Sequence, residues 1–198
     1  MRRLSRVLVA LSGLALAACA APAPPDAPPA YTAPPPVATD GAIPVGASAF
    51  VPMAPERLRA FLAERPMTSF LAPSGSLAPP VGAGVLSGDW AEPGAARWVE
   101  LADGHYIAER VVANEPERFR YQIYVFTNAA GRGVDQIVAE QRFVAVEGGT
   151  RFEWDYDVYP RSALTRPFVS RFVERELRPY IEAGTAAMAR AAREATEG

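Results

Sequence analysis

Lysine is absent from this 198-residue chain, cysteine occurs once, at position 19, and histidine once, at position 105. A single cysteine excludes an intramolecular disulfide, so the fold must rest on its core. One cysteine and one histidine cannot assemble a zinc or redox-metal site of ordinary composition, and no cofactor is expected. His105 falls in a hairpin turn, where exposure to solvent is expected. No glycine-rich phosphate loop, dinucleotide fingerprint or Ser/His/Asp set is present. No apolar run reaches the ~20 residues of a membrane span. Positive charge is not in surplus either: 20 arginines face 22 acidic side chains, which leaves no electrostatic footprint for nucleic acid. The missing lysines, beside abundant alanine, reflect composition and not function.

What is present begins with a leader. Arg2, Arg3 and Arg6 form a positive head, and Val7 to Ala18 is an Ala/Leu-rich apolar run of signal-peptide length. It ends in Leu16-Ala17-Ala18-Cys19, which looks like the lipobox of bacterial lipoproteins, whose cysteine thiol accepts diacylglycerol. The expectation is a signal peptide over 1–18 and a lipidated Cys19. The alternative is an ordinary secretory signal with an accidental cysteine. Ala20, standing where an aspartate would signal inner-membrane retention, points to the periplasmic face of the outer membrane. Without the three leader arginines, 17 basic side chains face 22 acidic ones, about −5 in all. A lipid anchor holds a membrane without a basic patch.

Residues 20–41 contain eight prolines and almost no large apolar side chain. Such a segment cannot offset its ordering entropy by burial, so residues 19–41 are expected to be a disordered, partly polyproline II tether with few contacts to the domain. At ~3.1 Å per residue it would reach roughly 70 Å. The remainder, 42–198, is one domain's length and shows no internal repeat; ~150 residues suffice for a core without disulfide or metal.

Within the domain, an extended stretch from Ile43 to Pro52 leads to Pro55, placed for the first position of a helix over Glu56–Glu64. Leu58, Phe61 and Leu62 share one face of that helix. Pro66 stops it, Met67–Leu71 forms a second short helix, and a Gly/Pro/Ser-rich loop runs to Gly84. Alternation then marks antiparallel strands at 81–88, 95–101, 106–112, 119–126, 135–146 and 150–159. The clearest is the last, with Phe152, Trp154, Tyr156 and Val158 on one face and Arg151, Glu153, Asp155 and Asp157 on the solvated other. From Leu164 to Ala195 the period is helical, with a stripe through Val169, Val173, Leu177, Tyr180/Ile181, Gly184 and Met188. Pro179 is expected to kink that helix or loosen a turn.

This order of elements, with Ala54-Pro55-Glu56, Gly94-x-x-Arg97-x-Val99-x-Leu101, Asp103-Gly104, Glu109-Arg-Val, Phe119-Arg-Tyr121-x-Ile123 and Gly148-Gly149-Thr150-Arg-Phe-x-Trp154, resembles the SRPBCC superfamily. That superfamily includes START domains, birch-pollen-allergen-like proteins and polyketide cyclase/dehydrase-like proteins. The resemblance spans about residues 45–193. It implies an α+β helix-grip fold: a curved antiparallel sheet of about seven strands around a long C-terminal helix, with two short helices after the first strand. It also implies an apolar ligand cavity between sheet and helix. The anchor, the loop-rich stretch at 72–84 and Pro179 depart from the pattern.

Residue parity sharpens the reading. A three-residue bulged loop at Ala102–Gly104 pairs Leu101 with His105, Val99 with Ile107 and Arg97 with Glu109. A two-residue turn at Asp103-Gly104 would instead pair Trp98 with Glu109. Across the next turn Val111 meets Phe119, Glu109 meets Tyr121 and Ile107 meets Ile123; further on, Tyr121 falls near Gln141, and Gln141 near Tyr156. A polar row of Arg97, Glu109, Tyr121, Gln141 and Tyr156 would then cross an aromatic wall of Phe143, Phe152 and Trp154, with Ile123 on the sheet and Phe168 and Phe172 on the helix completing the cavity. Burial of that row requires mutual hydrogen bonding. It is either a structural network centred on an Arg97–Glu109 ion pair or a patch that orients the head of an apolar ligand.

Three functions fit. The favoured one is a binding module, not an enzyme, that holds or carries a hydrophobic small molecule or lipid. The second is a cyclase or dehydratase with Glu109 or Tyr121 as acid/base, which needs Glu109 inward and beside an open volume. An Arg97 partner would favour the charged carboxylate and so oppose proton donation. The third is a ligand-free accessory protein of an envelope complex, with a filled interior. The protein partner in that case is not identified by the sequence.

Overall fold

The computed structural model describes residues 21–197; the leader and Cys19 lie outside them. The seven strands are β1 (Ile43–Val51), β2 (Pro80–Ser87), β3 (Ala96–Leu101), β4 (Tyr106–Glu115), β5 (Arg118–Phe126), β6 (Val134–Val146) and β7 (Gly149–Pro160). They form one antiparallel sheet in the order β1-β7-β6-β5-β4-β3-β2. Helix α1 (Pro55–Ala63) and a 3-10 turn (Met67–Ser69) follow β1, and the C-terminal helix begins after β7. This is the α+β helix-grip architecture expected from the order of elements.

Alternation decides which face of the sheet the C-terminal helix covers. Phe152, Trp154 and Val158 of β7 are buried with Ile137 and Ala139 of β6, beneath Val173, Ile181, Met188 and Ala192 of the helix. Leu58 adds the buried face of α1, with Phe61 and Leu62 packed partly against the same core. Pro179 has the effect expected of a residue that lacks an N–H and whose ring crowds the carbonyl one turn earlier. The helix runs α-helical as α2 (Arg166–Phe172), widens to a π-helical turn over Val173–Leu177, and resumes as α3 (Arg178–Glu197). The Arg178 N–H donates to the Val173 carbonyl, five residues back, which takes up the strain ahead of the proline.

The β3–β4 hairpin has the three-residue loop read from the sequence. Arg97 lies opposite Glu109 and Val99 opposite Ile107, and the Leu101 N–H donates to the His105 carbonyl. His105 itself is buried, contrary to expectation, with Nδ1 at 3.1 Å from the Thr127 hydroxyl at the start of the β5–β6 loop. Beyond β4 the expected register is out by two. Glu109 faces Ile123 and Val111 faces Tyr121, because the turn is a tight two-residue Pro116-Glu117 and β4 and β5 are bulged between Ala108 and Glu109 and between Val111 and Ala113. Tyr121 then faces Ala139, and Ala139 faces Tyr156, while Gln141 sits between Phe119 and Trp154. A slip of two keeps every side chain on its face and only slides it along the strand.

The proline-rich segment was expected to be free, and it is not. Its carbonyls and one of its amides bond to the face of the sheet away from the helix: Arg110 Nη2 donates to Pro35 O at 3.1 Å, Gln136 Nε2 to Pro36 O at 3.2 Å, and the Ala38 N–H to Gln136 Oε1 at 3.1 Å. The expectation considered only what the segment could bury by itself, not the surface it could lie on.

Candidate cavity between sheet and helix

The concave face of β3–β7 and the C-terminal helix enclose a cavity of about 680 Å³. Phe172, at the end of α2, and Leu177, at the end of the π-helical turn, line the wall opposite the sheet. Ile123, Phe143 and Trp154 line it as expected, as does Phe172. Phe152 does not. It is buried behind the wall, its ring centroid 5.4 Å from that of Phe143. Phe168 was placed in the cavity from its helical spacing to Phe172, but it is 76% exposed on the outer side of α2. The first turn of α2 turns Val169, 3% exposed, inward in its place.

The polar row resolves into two clusters and one separate residue, and all of them reach the cavity. In the first cluster, Arg97 Nε and Nη2 both contact Glu109 Oε2, at 2.8 and 2.7 Å. The guanidinium also lies over the Trp90 ring, 3.8 Å from its centroid, and Trp90 meets Phe119 edge-on. A charge over an aromatic face and against a carboxylate needs little water. The Arg97 side chain is 24% exposed and that of Glu109 only 7%, so the cation is the half of the pair that a ligand can reach.

In the second cluster, the Tyr121 and Tyr156 hydroxyls are 2.8 Å apart and Trp154 Nε1 donates to Tyr121 Oη at 3.3 Å. The two phenols meet across Ala139, whose methyl leaves the space they occupy. Burial raises the pKa of both above the ordinary phenol range, and the negative charge of Glu109 adds to it. Tyr180, on α3, is raised by the same two causes. Phenols are protonated at neutral pH, so Tyr121 and Tyr156 meet as hydrogen-bonding hydroxyls. Gln141 lines the wall between Phe119 and Trp154, as the two-residue register shift requires. Tyr121→Phe should lower stability by about 1 kcal/mol through loss of the buried hydrogen bonds while keeping ring packing. Denaturant unfolding measures this as a lower midpoint with an unchanged slope.

Trp90, Tyr180 and Arg59 are among the lining residues that escaped the sequence reading. Trp90 lies in the β2–β3 connection, where no periodicity points inward. Tyr180 was read as part of the helical core stripe. Arg59 of α1 donates to the Glu115 and Pro116 carbonyls and to Asn114 Oδ1, tying the helix to the β4–β5 turn at one end of the cavity. Burial lowers its pKa. Asn114 Nδ2 in turn donates to Ala91 O at 2.6 Å.

The geometry agrees with comparison to known proteins. The chain is similar in structure to Ara h 8.0201, at 14% identity and a TM-score of 0.55, covering 78% of this chain and 99% of that one. Ginseng major latex-like protein 151 from Panax ginseng aligns at 10% identity and a TM-score of 0.55, over 76% of this chain and 97% of its own. The di-domain ARO/CYC StfQ of the steffimycin biosynthetic pathway aligns at 13% identity and a TM-score of 0.57, over 79% of this chain and 52% of that one. At such identities these likenesses show the fold alone. A search of the curated proteins found no match. The family model described as polyketide cyclase / dehydrase and lipid transport matches residues 43–193, most of the chain. The chain belongs to that family.

Proposed function

We propose that this protein is a lipoprotein of the bacterial cell envelope whose domain holds or carries a hydrophobic small molecule or lipid. One observation carries the reading: a volume of about 680 Å³, walled mainly by aromatic and aliphatic side chains, with the Arg97–Glu109 ion pair set into its sheet wall. Ligand cavities of ~300–1,000 Å³ are usually of this kind, largely apolar with a few polar groups that fix orientation. The apolar part of the ligand lies against Ile123, Phe126 and Trp154, and its head group meets Arg97 and the phenols. A filled interior, as an accessory protein without ligand would have, does not fit this volume. Titration with a fluorescent fatty-acid analogue should give saturable, one-to-one binding, and Ile123→Trp, which fills the cavity, should abolish it. Binding that survives the filling variant would place the probe elsewhere.

The anchor rests on the sequence of the leader. Cys19→Ala should abolish acylation and leave unprocessed precursor, detectable as a larger species without acyl mass. Maturation of that variant to the wild-type size would overturn the anchor. Fractionation should find the wild type on the periplasmic face of the outer membrane.

A second reading has one observation in its favour. Glu109 is inward, 5% exposed and on the cavity wall, the placement an acid/base of a cyclase or dehydratase needs. Its contact with Arg97 favours binding over proton transfer. In the enzymatic reading Glu109→Gln stops turnover and leaves ligand retention intact; in the binding reading it weakens retention.

A further inference from the structure

An antiparallel sheet with a helix on one face ordinarily offers its other face to water. Here that face has two halves. Toward the β4–β5 and β6–β7 turns it carries exposed or half-exposed ion pairs among Arg118, Glu140, Arg142, Glu153 and Asp155. Toward the other end, where Arg110, Asp157 and Glu100 are the charged neighbours, several positions are nearly closed to solvent: Tyr106 and Tyr124 are 8% exposed, Gln136 and Val138 3%, and Gln122 not at all. Among the described residues no helix covers this half of the face. The proline-rich segment lies on it.

Its contacts follow the chemistry of polyproline. An extended proline run has no internal hydrogen bonds, so its carbonyls are free acceptors at fixed spacing, and little entropy remains to be lost on docking. Arg110 Nη2 and Gln122 Nε2 donate to Pro35 O at 3.1 and 3.4 Å, and Gln136 Nε2 to Pro36 O at 3.2 Å. Gln122 Nε2 also donates to Gln136 Oε1 at 2.6 Å, which holds the Gln136 amide in place to accept the Ala38 N–H. Burying two glutamine side chains on the outside of a sheet is costly unless such partners are supplied. Tyr31 lies near enough to Tyr124 to raise its pKa, alongside burial. Pro24 lies against Gly104 of the β3–β4 turn, where a side-chain carbon would come within 3.2 Å of the proline ring. At the other end of the segment, Arg166 Nη1 donates to Gly41 O at 2.7 Å.

We propose that this half of the outer face is a polyproline-binding surface, built around Gln122 and Gln136, whose resident ligand is the chain's own residues 24–38. If Cys19 carries the anchor, only the five residues from Cys19 to Ala23 separate the lipid from the docked segment. That is roughly 15 Å of reach in place of ~70 Å, so the strap holds the β3–β4 turn close to the membrane surface.

The docking can be tested without reference to the anchor or to the cavity ligand. In the full chain, purified in detergent, amide hydrogen exchange at Ala38 should be slower by at least about tenfold than in a synthetic peptide of residues 21–41. Gln136→Ala should return it to the peptide rate. Should that variant unfold, Pro35→Gly with Pro36→Gly weakens the strap without touching the core and should do the same. A full chain with residues 24–38 replaced by Gly/Ser of equal length should bind the labelled peptide saturably, while the wild type, already occupied, should not. Free exchange at Ala38 in the wild type, or no peptide binding by the Gly/Ser chain, overturns the proposal. A doubled mass in solution, reporting exchange of straps between two copies, overturns the assignment of the strap to its own domain. Loss of lipidation with Ala38 still protected would count against the anchor alone.

Discussion

Replacing Trp154 with alanine is expected to cost about 3–5 kcal/mol, because the side chain is fully buried and its loss leaves a void between sheet and helix. Trp154 is a contact through which β7 meets α3: a side-chain carbon at Gly184 would lie 2.7 Å from Leu71 Cδ2 and 3.2 Å from the Trp154 ring, so glycine at 184 eases the close approach of the helix. Its Nε1 also donates to Tyr121 Oη, and its ring packs on Tyr156 with centroids 5.4 Å apart. The alanine variant thus removes a wall of the cavity together with a support of the phenol pair. Thermal unfolding should drop by roughly 10 °C or more for a domain of this size. Trp154→Phe separates the two contributions, since it keeps most of the packing and loses only the N–H. A drop of under about 1 kcal/mol for the alanine variant would mean that the helix does not rest on β7 here.

Glu109→Gln should destabilise the domain by about 1–3 kcal/mol and release a bound ligand with it. The change is nearly isosteric, so packing is kept; what is lost is the negative charge that offsets desolvation of Arg97. The Arg97 side chain retains some exposure and its Trp90 contact, which keeps the cost below that of breaking a fully enclosed pair. The double variant Arg97→Met, Glu109→Leu tells the two roles of the pair apart. Replacing a buried ion pair with apolar groups of similar volume is often neutral for stability. Stability should therefore return in the double variant, and retention of a ligand with a polar head should not. Recovery of both would reduce the pair to a structural element.

The readability of this fold from sequence came from parity and its limits came from register. Phe152, Trp154, Tyr156 and Val158 alternate with charged residues, so their face was never in doubt, and the Asp103-Gly104 turn placed Arg97 opposite Glu109. Beyond β4, bulges and tight turns slid the pairing by two residues. Parity survives such a slip, so the right residues reach the cavity, but the neighbours change: Tyr121 meets Tyr156 across Ala139 and not Gln141. Phe168 and Phe172 are one helical turn apart, but in the first turn Val169 takes the inward place and Phe168 is left exposed, which spacing alone did not separate. Trp90 and Arg59 left no periodic signal, since one lies in a loop and the other on the polar side of a short helix. The strap was misjudged because composition reports what a segment can bury alone. Gln122 and Gln136, two amides on the outer parity of neighbouring strands, were the signal that something covers them.

Native mass spectrometry of the protein purified in mild detergent tests the central claim most directly. The expected species is heavier than the acylated polypeptide by the mass of one hydrophobic molecule, which is released on denaturation and absent from the Ile123→Trp variant. A wild-type protein that carries no such mass, and that takes up none when incubated with phospholipid vesicles, would contradict it.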